Sequence, residues 1–311
     1  MTVQDYERLC MLETTPEALE ITRAYLTTNF RKFLRKQEQI LICYPDDGPD
    51  SYGGILAQVS RECDCNPVFW GPDYRWKALL RQAFSMHAIT VFGPPLVVLG
   101  LMKMARATGT PLYIHDVILS GYPYANWMVE GIKKGLDCRI WGCYTIGDFP
   151  LVAGFTCGRE AGIHIRNDIF DAKIVDDAGN PVADSQRGHL IMEYKKEPSI
   201  IYDTLETARL WHQPCSCGCD DPRVVETVYA GNDLMKTVLE ERFLAWSSIL
   251  DFRVRQSECG LELELVVFPG ESLPKIPNCA KLTVRPWNPE VDMPFCMESL
   301  QKIPEKALEN H

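Results

Sequence analysis

The chain has no long hydrophobic run. Its longest apolar stretch, Ile89 to Met102, carries two prolines, Pro94 and Pro95, and is shorter than the roughly 20 residues of a membrane-spanning helix. Clustered positive charge is also missing. Arg31-Lys32 and Arg35-Lys36 are the densest basic pairs, and they fit a solvated helix face. With 32 basic against 42 acidic residues the formal charge is −10, the wrong sign for a nucleic-acid backbone. Residues 1–30 contain no secretory hydrophobic core, because Asp5, Glu7, Glu13, Glu17 and Glu20 interrupt them. The cysteine count is odd, at thirteen. Without a secretion signal these thiols are expected to be reduced thiols and metal ligands in a cytoplasm, not a disulfide framework. There is no internal repeat and no low-complexity tract. What remains is a cytoplasmic globular protein with neither a membrane nor a nucleic acid as partner. The 46% hydrophobic and 24% charged residues agree with that. The length suffices for one large domain or two ordinary ones.

What is present is a regular alternation of short apolar runs with helical patterns. Residues 4–37 place apolar side chains at three- and four-residue steps, with Thr15-Pro16-Glu17 as an N-cap followed by proline. Strands are expected at Ile40–Cys43, Pro67–Trp70, Ile89–Phe92, Val117–Leu119 and Cys138–Trp141. Helices are expected from Ser51 to Glu62, Tyr74 to Phe84, Leu96 to Ala107 and Trp127 to Lys134. This alternation predicts an α/β fold with a parallel sheet and crossover helices. In such sheets the ligand crevice lies just past the strands' C-terminal ends. Here those positions are Gly93-Pro94-Pro95, Ser120–Pro123 and Tyr144–Asp148. Beyond Asp148 the runs 172–176 and 189–194, around the turn Asp177–Pro181, predict an antiparallel β region. A small C-terminal α+β lobe is expected over 231–311, after a larger domain of 1–230. It would hold a helix at Leu234–Ser247 and strands at Phe252–Gln256 and Leu261–Val267. The prolines after Phe268 predict little regular structure.

The chain's organising stretch is Ala153 to Asp221. It holds Cys157, Cys215, Cys217 and Cys219, with His164 or His212 as a nitrogen donor. Thiolates and imidazole in this grouping suit a soft metal, most plausibly zinc. Cys215-Ser216-Cys217-Gly218 supplies two thiols from one turn, and glycine lets the backbone close behind them. The spacing is Cys-x-Cys rather than the commoner Cys-x-x-Cys. Cys63-Asp64-Cys65 reads as loop thiols, His87 and His115 as surface or packing residues, and Trp70 and Trp76 as core.

From Ile40 to Phe268 the chain resembles the phenylacetate–CoA ligase branch of the adenylate-forming, or acyl-CoA synthetase, superfamily, in a truncated and divergent form. The resemblance rests on pieces in a fixed order: Phe155-Thr156-Cys157, Gly162-Ile163-His164-Ile165-Arg166-Asn167-Asp168, Val175–Val182, Gly188-His189-Leu190-Ile191, and Pro214-Cys215-Ser216-Cys217-Gly218 followed by Asp221-Pro222-Arg223-Val224. It implies a structural zinc on Cys157, His164, Cys215 and Cys217, with Cys219 or His212 as substitutes for the histidine. It implies an acyl pocket at Phe92-Gly93-Pro94. It also implies a nucleotide site at Ser120, Gly121, Tyr122, Pro123, Tyr144 and Thr145, with Glu206 on the ribose and Asp148 as the catalytic Mg²⁺ ligand. Partners would then be a small carboxylic acid, ATP or AMP, and CoA; a protein partner and a homodimer are both compatible.

Measured against that family, several parts are missing. Nothing before residue 60 resembles its Ser/Thr/Gly-rich phosphate loop, and Asp47–Gly54 is acidic, which opposes phosphate binding. Ile201–Thr207 lacks the three arginines found there. No lysine near the end, Lys302 and Lys306 included, sits in a recognisable motif. Two expectations follow: an AMP-forming carboxylic acid–CoA ligase, or a catalytically inactive relative that binds a nucleotide, an acyl group or a protein. A third arrangement takes the phosphate loop from a separate chain.

Overall fold

The computed structural model describes residues 15–70, 74–87, 89–120, 126–145, 152–196, 199–229, 242–258, 260–270 and 281–295, with positions 273, 276 and 279 between the last two segments. Helix α1 (Pro16–Phe30) starts as its sequence dictates. The Thr15 hydroxyl accepts from the Ala18 N–H at 3.3 Å, and Pro16 has no N–H to leave unpaired. The helix stops at Phe30, short of the expected residue 37. Phe33 and Leu34 instead turn back, each donating its N–H to the Phe30 carbonyl, and Phe33 enters the core.

Strand β1 (Gln39–Ile42) leads to α2 (Tyr52–Glu62), whose cap Ser51 accepts from the Gly54 N–H at 3.0 Å. Then come β2 (Asn66–Phe69), α3 (Trp76–Ser85), β3 (Ile89–Gly93), α4 (Pro95–Thr108), β4 (Ile114–Ser120), α5 (Asn126–Leu136) and β5 (Arg139–Thr145). The strands pair in parallel in the order β2-β1-β3-β4-β5. The chain then reverses. β6 (Val152–Thr156) lies antiparallel to β5, with Cys143 opposite Phe155. The sheet continues through β7 (Ile163–Ile165), β11 (Arg223–Tyr229), β10 (Ile200–Trp211), β9 (Arg187–Tyr194) and β8 (Phe170–Val175), all antiparallel. One 11-stranded sheet therefore carries both expected β regions. Two cores serve it. Phe30, Ile42, Leu56, Phe92 and Phe155 form one with α1 and α2 over the parallel strands; Ile165, Phe170, Leu190, Tyr202 and Val224 form the other on the antiparallel strands.

All these strands, with α1, α2 and α5, belong to one compact unit. A second unit contains α3, α4 and a three-stranded sheet of β12 (Ile249–Ser257), β13 (Gly260–Val267) and β14 (Lys281–Pro286). Its β13–β14 pair is parallel. Strand β14 corrects the expectation of little regular structure after Phe268. It is an edge strand, and its one proline, Pro286, stands at its end, where a missing N–H disrupts no ladder. Gly100 of α4 rests on Trp76 of α3, since a Cβ there would come within 2.2 Å of the indole. The expected boundary at 230/231 lies outside the described residues, as does most of the Leu234–Ser247 helix. Among the described residues no helix is long and apolar enough to cross a membrane.

Candidate metal centre and ligand crevice

The antiparallel strands bring three distant pieces of chain together. Cys157 follows the last residue of β6. His164 is the middle of β7, opposite Phe155 on one side and Arg223 on the other. Cys215 and Cys217 sit in the turn between β10 and β11, where the Gly218 N–H donates to the Cys215 carbonyl at 3.0 Å and Gly218 takes φ +81. One ligand atom from each of Cys157, His164, Cys215 and Cys217 lies within 4.8 Å of the others. The Cys157 and Cys215 sulfurs are 3.7 Å apart, and the Cys217 sulfur is 3.5 Å from His164 Nε2. A tetrahedron with zinc's usual bond lengths has S···S and S···N edges of about 3.8 and about 3.6 Å. The donor set thus fits a tetrahedral soft metal in both chemistry and dimensions. His164 Nδ1 lies 3.1 Å from the Asp221 carbonyl. Burial pushes the Cys157 thiol up, but N–H groups of Glu160 and Arg159 with His164 and Cys215 outweigh it and bring it down to about 6. Burial instead raises Cys215 to about 11. Two other candidates are engaged elsewhere. His212 Nδ1 pairs with Asp184 at 2.9 Å, and the Cys219 thiol donates to the Asp221 carboxylate at 3.4 Å.

A second cluster, Glu38, His115 and Asp116, lies at the N-terminal edge of the parallel strands. Its carboxylates are already engaged by protein donors. Asp116 accepts from Arg139 and from Trp141 Nε1, both at 2.7 Å, and Glu38 accepts from Thr90 and the Arg35 N–H. This is a structural polar network.

At the C-terminal ends of the parallel strands, Ser120 closes β4, Tyr144 and Thr145 close β5, and Gly93 closes β3. The Tyr144 hydroxyl donates to the Glu206 carboxylate at 2.6 Å. Glu206 is 6% exposed, and burial pushes it up to about 7 against the lowering effect of Tyr144. Phe92 is wholly buried, its ring 5.8 to 6.0 Å from those of Phe30, Tyr44 and Tyr52. Tyr44 and Tyr52 were not singled out in the sequence. The Tyr44 hydroxyl donates to the Ser120 carbonyl at 2.6 Å, and the Tyr52 hydroxyl lies 2.7 Å from Ser120 Oγ. Their signal was positional, for Tyr44 comes just after β1 and Tyr52 opens α2. Gly121, Tyr122, Pro123 and Asp148 lie outside the described residues.

No family model and no curated protein matches the chain. Solved structures do match it. 2-Hydroxyisobutyryl-CoA ligase in the postadenylation state aligns over 89% of this chain and 67% of its own, at 13% identity and TM-score 0.59. A benzoate CoA ligase from Burkholderia xenovorans aligns over 90% and 65%, at 10% identity and TM-score 0.55. The fold is that of the adenylate-forming ligases. An open conformation of 2-hydroxyisobutyryl-CoA ligase gives a TM-score of 0.54 at 15% identity over 79% of this chain. This chain spans 59% of that ligase's length. In this fold the described ends of β3, β4 and β5 form one edge of the sheet, and Cys157, His164, Cys215 and Cys217 gather on its antiparallel half.

Proposed function

We propose that the chain is an AMP-forming carboxylic acid–CoA ligase-type protein of the phenylacetate–CoA ligase kind, with a structural zinc on Cys157, His164, Cys215 and Cys217. The reading is carried by the Tyr144–Glu206 pair. It supplies a carboxylate beside the strand ends where ligands of open parallel sheets bind. In the neighbouring 2-hydroxyisobutyryl-CoA ligase the bound molecules are 2-HIB-AMP and CoA. By analogy the nucleotide lies over Ser120–Pro123, Tyr144 and Thr145 with its ribose on Glu206, and the acid lies beside Phe92-Gly93-Pro94. Asp148 would hold Mg²⁺, which neutralises phosphate charge when bound. Zinc when bound supplies folding energy by clamping the β6–β7 loop to the β10–β11 turn.

One observation favours the second reading, a catalytically inactive relative that binds a nucleotide, an acyl group or a protein partner. The Glu206 carboxylate is closed in by Tyr144 and pushed up to about 7 by burial, which disfavours its charged form. Ile201–Glu206 brings no arginine to a developing phosphate charge. Each well-aimed donor lost costs about a hundred- to a thousand-fold in rate.

The test pairs a pyrophosphate-exchange assay, across a panel of carboxylic acids with ATP and Mg²⁺, with calorimetric titration of ATP, AMP and CoA. Turnover abolished by both Asp148→Ala and Glu206→Ala supports the ligase. Nucleotide binding without exchange supports the inactive relative. The absence of both binding and exchange rejects the ligase and the nucleotide binder and leaves the protein-binding form of the second reading.

A further inference from the structure

We propose that a cationic groove beside the metal knuckle docks an acidic peptide segment of a partner protein. The groove is a cavity of about 780 Å³, within the range of ligand-sized clefts. Four cations line it, each from a different piece of chain. Lys32 follows α1, Lys133 lies on α5, Arg139 opens β5, and Arg159 lies in the β6–β7 loop. Trp141 and Phe33 form the apolar part, stacked with ring centroids 4.2 Å apart. Gly158, at φ +69, brings the Arg159 loop onto Trp141; a Cβ there would come within 2.7 Å of the indole.

Among the described residues no aspartate or glutamate lines the groove. Acids that touch lining residues are engaged by the protein, Asp221 by the Cys219 thiol at 3.4 Å among them. Asp116 holds Arg139 and Trp141 from beneath at 2.7 Å. Glu160 accepts from the Ser216 N–H at 2.6 Å and pairs with Arg223 at 2.7 Å. Lys32 donates to the neutral Asn29 amide oxygen at 2.9 Å. Lys133 and Arg159 are exposed and have no carboxylate partner among the described residues. In a chain with ten more acids than bases, four cations around one groove, of which Arg139 is paired with Asp116, form a field of the opposite sign. Such a field repels itself when empty and attracts a complementary partner.

The arrangement selects carboxylates in series over a single phosphate. A phosphate nest needs convergent free backbone N–H groups. In the knuckle the Ser216 and Gly218 N–H groups are committed to Glu160 and to the Cys215 carbonyl. The cations are spread around the groove on four elements, which suits an extended acidic strand whose apolar side chains rest on Trp141.

The experiment is a fluorescence-anisotropy titration of the full chain with a dye-labelled glutamate–alanine repeat peptide. Inorganic polyphosphate serves as competitor. Lys133→Glu/Arg159→Glu should weaken peptide binding at least tenfold with circular dichroism unchanged, and binding should fall with added salt. Arg81→Glu/Arg106→Glu makes the same change in net charge at residues that do not line the groove and should leave binding near wild type. Equal losses in the two variants overturn the proposal, as does no loss in the groove variant. Polyphosphate binding more tightly than the peptide overturns it too.

Discussion

His164 Nδ1 and the carbonyl oxygen of Asp221 are 3.1 Å apart, and this contact sets what His164 can do. A carbonyl only accepts, so Nδ1 carries the proton. Nε2 is left with its lone pair, 3.5 Å from the Cys217 sulfur. A backbone carbonyl behind a histidine is the usual outer support of a metal ligand. We therefore expect one zinc per chain in protein purified without added metal. A strong chelator should lower the melting temperature, and Cys215→Ser should lower it without chelator. Elemental analysis together with a thermal melt checks both, and metal-free protein with an unchanged melt ends the zinc assignment.

The Glu206 carboxyl gives stability a pH dependence whose sign is fixed. Burial raises it in the folded chain from 4.5 to about 7. Between those values the folded state binds more protons than the unfolded one. Its contribution is fully kept below about pH 4.5 and is lost as pH rises through about 7, by up to about 1.4 kcal/mol per pH unit. Glu206→Gln removes the titration. The difference in urea midpoint between wild type and Glu206→Gln should thus grow in the variant's favour as pH rises across that interval. A difference independent of pH would show that Glu206 is not held in this way.

Asp116 is wholly buried and accepts from Arg139, Trp141 and His115 at 2.7, 2.7 and 2.8 Å. Removing a partner from a buried, hydrogen-bonded charge network costs about 3–5 kcal/mol. Asp116→Ala should cost an amount of that order in urea denaturation. Asp116→Asn keeps one acceptor oxygen for Trp141 and should cost less. Equal losses in the two variants would mean that the charge, which both remove, is all that Asp116 supplies, and an Asp116→Asn protein as stable as wild type would mean that the charge supplies nothing.

The central parallel strands β1, β3 and β4 were legible because they are buried on both faces and read as apolar runs. β3, Ile89–Gly93, is buried at every position. Helix starts were legible from Thr15 and Ser51, whose side chains do cap. Strand β10 was not assigned, although its burial alternates regularly. Its inward positions include Glu206 and Ala208, while Ile201 and Leu205 face outward at 65% and 45% exposure. The apolar alternation is thereby erased. Leu205 also takes a positive φ of 56 at a register shift against β9, a bulge that sequence periodicity does not encode. β7 has three residues and β14 is almost wholly exposed, so neither carries a hydrophobic signal. The ligand set Cys157, His164, Cys215 and Cys217 was named from a resemblance, since spacing alone left Cys219 and His212 open. What separates them is strand register, with His164 opposite Phe155 and Arg223, and that is a tertiary fact.

Lys103 is the buried cation of the second unit, 6% exposed on α4. Its Nζ donates to the carbonyls of Trp246 at 3.1 Å and Ile249 at 2.7 Å. Burial lowers it from 10.5 to about 7, with the charge of Asp251 opposing. Between these values the unfolded chain binds the proton and the folded chain does not. Below about pH 7 both states are protonated and the full cost of the buried ammonium is present; as pH rises from there toward 10.5 that cost is relieved, by up to about 1.4 kcal/mol per pH unit. Lys103→Met keeps the aliphatic stem and removes the titrating group. Its loss of two carbonyl partners is independent of pH, so it shifts the stability curve without tilting it. Wild type should therefore gain on Lys103→Met as the buffer is moved from neutral to alkaline, read as the difference in urea midpoint at each pH. Parallel curves for the two proteins would show that Lys103 keeps its proton in the folded state, held by Trp246, Ile249 and Asp251 strongly enough to offset its burial.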